Sequence, residues 1–202
     1  GYRWKRFRKS LKERQDPLER AVGDKRLDQL IQLCRQGHIE LFFADESGFS
    51  LQPSVPYGWQ PVGQQTGICP KDGKRLNVLG FMSLDLQLET FFQTGFIDSE
   101  FVVKAIEKMI HDPGVFRVLV FDNAPIHRAE NLYQHIIRWQ EKGLFIFFLP
   151  RYSPHLNRIE ILWRMIKYQW LKPKDFRSFK SLKKKVIYIF ENFGKEFRIE
   201  FQ

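Results

Sequence analysis

Three acids stand where phosphoryl-transfer chemistry could use them. The apolar run Ile39-Glu40-Leu41-Phe42-Phe43-Ala44 stops at Asp45, and Phe116-Arg117-Val118-Leu119-Val120-Phe121 stops at Asp122. Glu160 opens an amphipathic segment just after Pro154-His155-Leu156-Asn157-Arg158-Ile159. Carboxylates at the ends of two neighbouring parallel strands would converge. When both are ionised they repel, which raises a pKa unless a cation lies between them. Magnesium or manganese suits such a site, because hard ions prefer carboxylate oxygen. Each Asp could instead be a turn or helix cap, and Glu160 could simply favour the positive end of a helix dipole.

The elements that must carry these acids follow from periodicity. Leu27, Leu30, Ile31, Leu33 and Cys34 make a helical stripe over 24–35 that Gly37 stops. A buried strand is expected at 39–44, with a possible second near 49–52. Residues 53–75 hold Pro53, Pro56, Pro61 and Pro70 with Gly58, Gly63, Gly67 and Gly73, and read as a long loop or extended ribbon. Strands follow at 76–83 and 86–96, joined near Leu84-Asp85. Then come a helix from Phe101 to Ile110 capped by Asp98 or Ser99, a strand at 116–121, a helix at 128–142, a strand at 144–149, and helices at 158–171 and 178–193. Antiparallel strands followed by β-α-β units predict an α/β fold, a mixed sheet with helices on its faces. On helix 158–171 the buried stripe is Ile159, Leu162, Trp163, Ile166 and Trp170. Glu160, Arg164, Lys167 and Leu171 follow along the adjoining edge.

Bulk composition narrows the partners. The chain has 202 residues, a net charge of +10 and twenty Phe, which suits one well-cored domain and favours a polyanionic partner over none. Arg3, Lys5, Arg6, Arg8 and Lys9 alternate with Tyr2, Trp4 and Phe7 in a basic arm, which is either a nucleic-acid contact or a solvated tail. Cys34 and Cys69 form no disulfide framework, and Cys34 with His38 is too few ligands for zinc. No run reaches membrane-spanning length. Gly67 to Gly73-Lys74-Arg75 is one residue too long for a phosphate loop and has no Ser or Thr after Lys74. His127 is a cap or a group that positions a phosphate or water, and Lys183-Lys184-Lys185 is a solvated face or part of a nucleic-acid track.

Phe43-Ala44-Asp45-Glu46, Phe121-Asp122-Asn123-Ala124-Pro125-Ile126-His127 and Leu149-Pro150-Arg151-Tyr152-Ser153-Pro154-His155-Leu156-Asn157-Arg158-Ile159-Glu160-Ile161-Leu162-Trp163 resemble the motifs of the IS630/Tc1/mariner superfamily of DDE transposases. Gly58-Trp59, Gly63 and Asn77-Val78-Leu79-Gly80 are similar to its bacterial IS630 branch. The resemblance implies an RNase H-like, integrase-like five-stranded sheet with helices on both faces. It implies a triad of Asp45, Asp122 and Glu160 holding two Mg²⁺ ions, with Mn²⁺ able to substitute. The reaction implied is DNA strand cleavage and strand transfer in cut-and-paste transposition. Asn123, His127 and Asn157 would be accessory, and Arg3, Lys5, Arg6, Arg8, Lys9, Arg151, Arg164 and Lys167 would contact DNA. Residues 1–23 would be a linker after an upstream DNA-binding region, 24–202 the catalytic domain, and 53–75 a clamp-like insertion. Partners would be transposon ends and target DNA, with a homodimer on DNA, in the bacterial cytoplasm at the nucleoid. The sequence departs from the usual pattern at His155, where an acid is common, and at Arg158, where proline is. The 37 residues between Asp122 and Glu160 are slightly more than is usual. The alternatives are an RNase H-like nuclease, or an inactive relative that only binds DNA.

Overall fold

Strand β1 (Ile39–Phe49) is the axis of the molecule. A computed structural model describes residues 15–52, 62–63, 73–110, 114–123 and 130–199. In it β1 lies at the centre of a five-stranded sheet with β2 (Leu76–Ser83), β3 (Leu88–Thr94), β4 (Phe116–Phe121) and β5 (Leu144–Phe148). The order is β3-β2-β1-β4-β5. β1 pairs antiparallel with β2 and parallel with β4, and β4 pairs parallel with β5. This is the mixed sheet expected from the order of elements.

Both faces of the central strands are covered, which is why their sequences are continuously apolar. Leu41, Phe43 and Phe49 of β1, with Val118 and Val120 of β4, share one core with α1 (Pro17–Arg35), α4 (Ile159–Met165) and α5 (Phe179–Glu191). Phe42, Ala44, Leu119 and Phe121 point the other way, into a core with α2 (Ser99–Lys108) and α3 (Glu130–Glu141). The helix starts are chemically marked. The Asp98 carboxylate accepts from the Phe101 amide at 2.8 Å, and the Ser178 hydroxyl accepts from the Ser181 amide at 3.1 Å. Among the described residues no helix is long and apolar enough to cross a membrane.

Three expectations need correction. β1 does not stop at Ala44 but runs on to Phe49, because β2 pairs with it along Phe42↔Ser83 to Phe49↔Leu76. The separate strand near 49–52 is therefore the end of β1. α1 begins at Pro17, so residues 17–23 are helix and not arm. The Asp16 carboxylate caps it, accepting from Leu18 and Glu19 amides at 2.8 and 3.2 Å, and Gly23 is buried. The segment 158–171 is not one α-helix: α4 gives way to a π-helical turn over Ile166–Trp170. That wider turn advances the buried side by one residue, so Leu171, expected on the edge, is only 6% exposed.

Candidate active site

The parallel ladder between β1 and β4 ends at Phe43↔Val120. Continued by two residues, the same register brings Asp45 level with Asp122. Side chains alternate along a strand, so Asp45 follows Leu41 and Phe43, and Asp122 follows Val118 and Val120, on the face that α4 covers. Glu160 lies in the first turn of α4, with its amide donating to the Asn157 carbonyl at 3.1 Å. Asp45 is thus not at a strand end but at the point where β1 loses β4 as a partner while keeping β2.

The electrostatics agree with this convergence. Lost hydration holds the Asp45 carboxyl well above the usual carboxylate range, and the negative charges of Glu160, Glu46 and Asp122 push it further. Glu160 is also raised, first by lost hydration. Lys167 and Arg164 pull it down, while Asp122 pushes it up. Lys167 is shifted the opposite way: burial and the nearby Arg75 charge lower it, and Glu160 and Asp45 oppose that shift. Lys167 is thus influenced by the acids on one hand and by Arg75 on the other. Among the described residues, however, no three His, Cys, Asp or Glu side chains are gathered closely enough to ligate one ion.

Two polar side chains fix the acids in place. Asn157, 2% exposed, donates from Nδ2 to the Ala44 carbonyl at 2.9 Å, tying the loop before α4 to the residue preceding Asp45. Trp163 donates from Nε1 to Asp45 Oδ2 at 3.0 Å. Sequence reading treated Trp163 only as core, and its indole N–H was the unread signal. Gly80 explains how Trp163 reaches so far. It pairs directly with Asp45 across the ladder. A Cβ there would lie 2.8 Å from Trp163 Cη2 and 3.0 Å from Ile159 Cδ1. The missing side chain lets α4 settle onto β2.

The remaining candidates are distributed unevenly. Asn123 is half-buried beside Asp122, and its Nδ2 donates to the Leu149 carbonyl at 3.4 Å. Arg164 is exposed on α4. Arg151 is exposed, and its amide donates to Glu19 Oε1 at 3.5 Å. His127, Arg3, Lys5, Arg6, Arg8 and Lys9 lie outside the described residues, as does most of the 53–75 stretch. The two departures from pattern sit apart. His155 is exposed on a short 3-10 turn. Arg158 is half-buried, with its guanidinium 5.9 Å from the Phe43 ring centre, and burial lowers its pKa.

Comparison with known proteins places this geometry. A family model described as DDE superfamily endonuclease matches residues 40–183. The crystal structure of the Mos1 strand transfer complex superposes with a TM-score of 0.62 at 15% identity, covering 95% of this chain and 59% of that one. The Mos1 mariner paired end complex with Mn gives 0.60 at 16%, covering 95% and 60%. The catalytic domain of Mos1 mariner transposase gives 0.52 at 14%, covering 91% and 84%. These likenesses establish an RNase H-like fold. The chain spans about three-fifths of the length of the first two. No curated protein sequence matches it.

Proposed function

The chain belongs to the DDE superfamily endonuclease family, and on that premise we propose that it is the catalytic domain of a DNA transposase whose Asp45, Asp122 and Glu160 hold two divalent cations, Mg²⁺ or Mn²⁺. What supports this reading is that β1, the end of β4 and the first turn of α4 carry the three acids toward one side of the sheet, near enough for the charges of Glu160 and Asp122 to raise the Asp45 pKa. The donor set fits a hard cation: all three are carboxylates, and their mutual repulsion is what a cation relieves. When bound, the ions activate the attacking oxygen and stabilise the leaving one. Related solved complexes carry Mn and Mg, which supports the choice of metal.

The chain's own residues then have distinct tasks. Trp163 donates to one oxygen of Asp45 and so fixes the rotamer of that carboxylate. Asn157 locks the loop that carries Glu160 against β1. Glu160 supplies the third carboxylate from the first turn of α4. Arg164 and Lys167 face the phosphodiester backbone of the bound DNA, and the functional unit on two transposon ends is a homodimer.

The test is nicking of supercoiled plasmid with Mn²⁺. Asp122→Ala should cut at least about a hundredfold more slowly, the scale of losing a group that stabilises transition-state charge, at an unchanged melting temperature. Full nicking by that variant sinks the assignment. Strand-transfer products from a transposon-end oligonucleotide separate a transposase from a plain nuclease.

A further inference from the structure

A cavity of about 240 Å³ lies between the end of β1 and the π-helical turn, with Arg75, Lys167, Ser50 and Gln52 among its walls and Phe49 and Phe176 beneath. Two cations line it, and no acid does among the described residues. Like charges facing a shared space repel unless an anion lies between them. The site is also built to hold its arginine. Gly48 has no side chain where a Cβ would come 1.9 Å from Arg75 Nε and 2.2 Å from Nη2, so the guanidinium lies flat on bare backbone. Lys167 also lines the cavity, with its Nζ 5.6 Å from the Phe49 ring centre. Arg75 also lines a second cavity, which Glu46 shares.

We propose that this cavity is a phosphate subsite that takes one phosphodiester group of the DNA strand entering the three acids. The inference rests on reading the chain as a DNA-cutting domain, and it adds Arg75, Gly48 and Ser50 to that site. A guanidinium fork matches phosphate oxygens in pairs, the Ser50 hydroxyl can donate to another, and Lys167 adds a second positive charge. Because Lys167 also neighbours Glu160 and Asp45, a phosphate seated here sets the register of the next phosphates along the strand.

The experiment is duplex binding by fluorescence anisotropy in EDTA, across a salt series, so that cutting plays no part. Arg75→Gln should bind several-fold more weakly, with the slope of log affinity against log salt reduced by about one unit, the signature of one lost phosphate contact. Gly48→Ala keeps the net charge and expels the guanidinium, so it should also weaken binding. If that variant melts early, Arg75→Lys replaces it, again with weaker binding expected because the fork is gone. Inorganic phosphate at matched ionic strength should compete with the duplex for the wild type and less for Arg75→Gln; equal competition in both overturns the subsite. An unchanged slope in Arg75→Gln beside normal wild-type binding overturns the subsite alone, whereas failure of the wild type to bind duplex overturns the reading beneath it.

Discussion

Asp45 is the residue on which the site turns, and its protonation has a sign that can be checked. Its folded pKa is raised above the unfolded value, so the folded chain holds the proton more tightly. Without metal, the contribution of Asp45 to stability is therefore fully present below the ordinary carboxylate range and is lost as pH rises toward the raised value. Asp45→Asn removes that cost. The metal-free variant should melt a few degrees higher than wild type at neutral pH, as about 1 kcal/mol does in a chain of this size, and should no longer gain stability from Mn²⁺. Differential scanning fluorimetry with and without the ion reads both; an unshifted metal-free melt would contradict the crowded-carboxylate picture. Trp163→Phe is the subtler change. It keeps the ring and drops the bond to Asp45 Oδ2, so cleavage should fall about tenfold, as for a lost hydrogen bond to a charged group, with a displaced pH–rate profile. A purely structural indole would leave that profile in place.

At the level of elements, the site depends on how closely α4 lies on the sheet. Gly80→Ala puts a methyl group against Trp163 and Ile159. Overpacking of this kind costs about 1–3 kcal/mol, so the melting temperature should drop and cleavage with it, although Gly80 is none of the three acids. Normal activity at a normal melting temperature would show that α4 has slack to spare. The order of elements, the mixed sheet and Asp122 at the end of β4 were legible because hydrophobic runs and turn residues are local signals. The length of β1 was not. Asp45-Glu46-Ser47-Gly48 reads as a turn by composition, and only the ladder to β2 keeps it extended, with Ser47 5% exposed. The π-helical turn was equally hidden. It depends on Trp170 packing against Phe193 and Phe197, whose ring centres lie 6.4 and 5.1 Å away, and they come from beyond α5. The Trp163–Asp45 bond needed Gly80 on a different strand before a core residue could become a polar one.

For the molecule as a whole, the net charge of +10 gives an expectation independent of any one side chain. Duplex affinity should fall about a hundredfold or more between about 50 and about 200 mM salt, and scrambled duplexes should bind as well as any other, since phosphate contacts carry no sequence information. Weak salt dependence would argue against a backbone-tracking surface. The packing of α1 reaches the chain that leads to the third acid. Gly23 admits the Pro150 ring, and Gln15 Nε2 donates to the Tyr152 carbonyl at 2.6 Å and approaches Ser153 Oγ at 3.4 Å. Glu19 takes the Arg151 amide. All four contacts fall on 150–153, the start of the segment that ends at Asn157 and Glu160. The first helix thus bears on two of the three acids at once: it packs on β1, which carries Asp45, and it seats the stretch of chain that leads to Glu160.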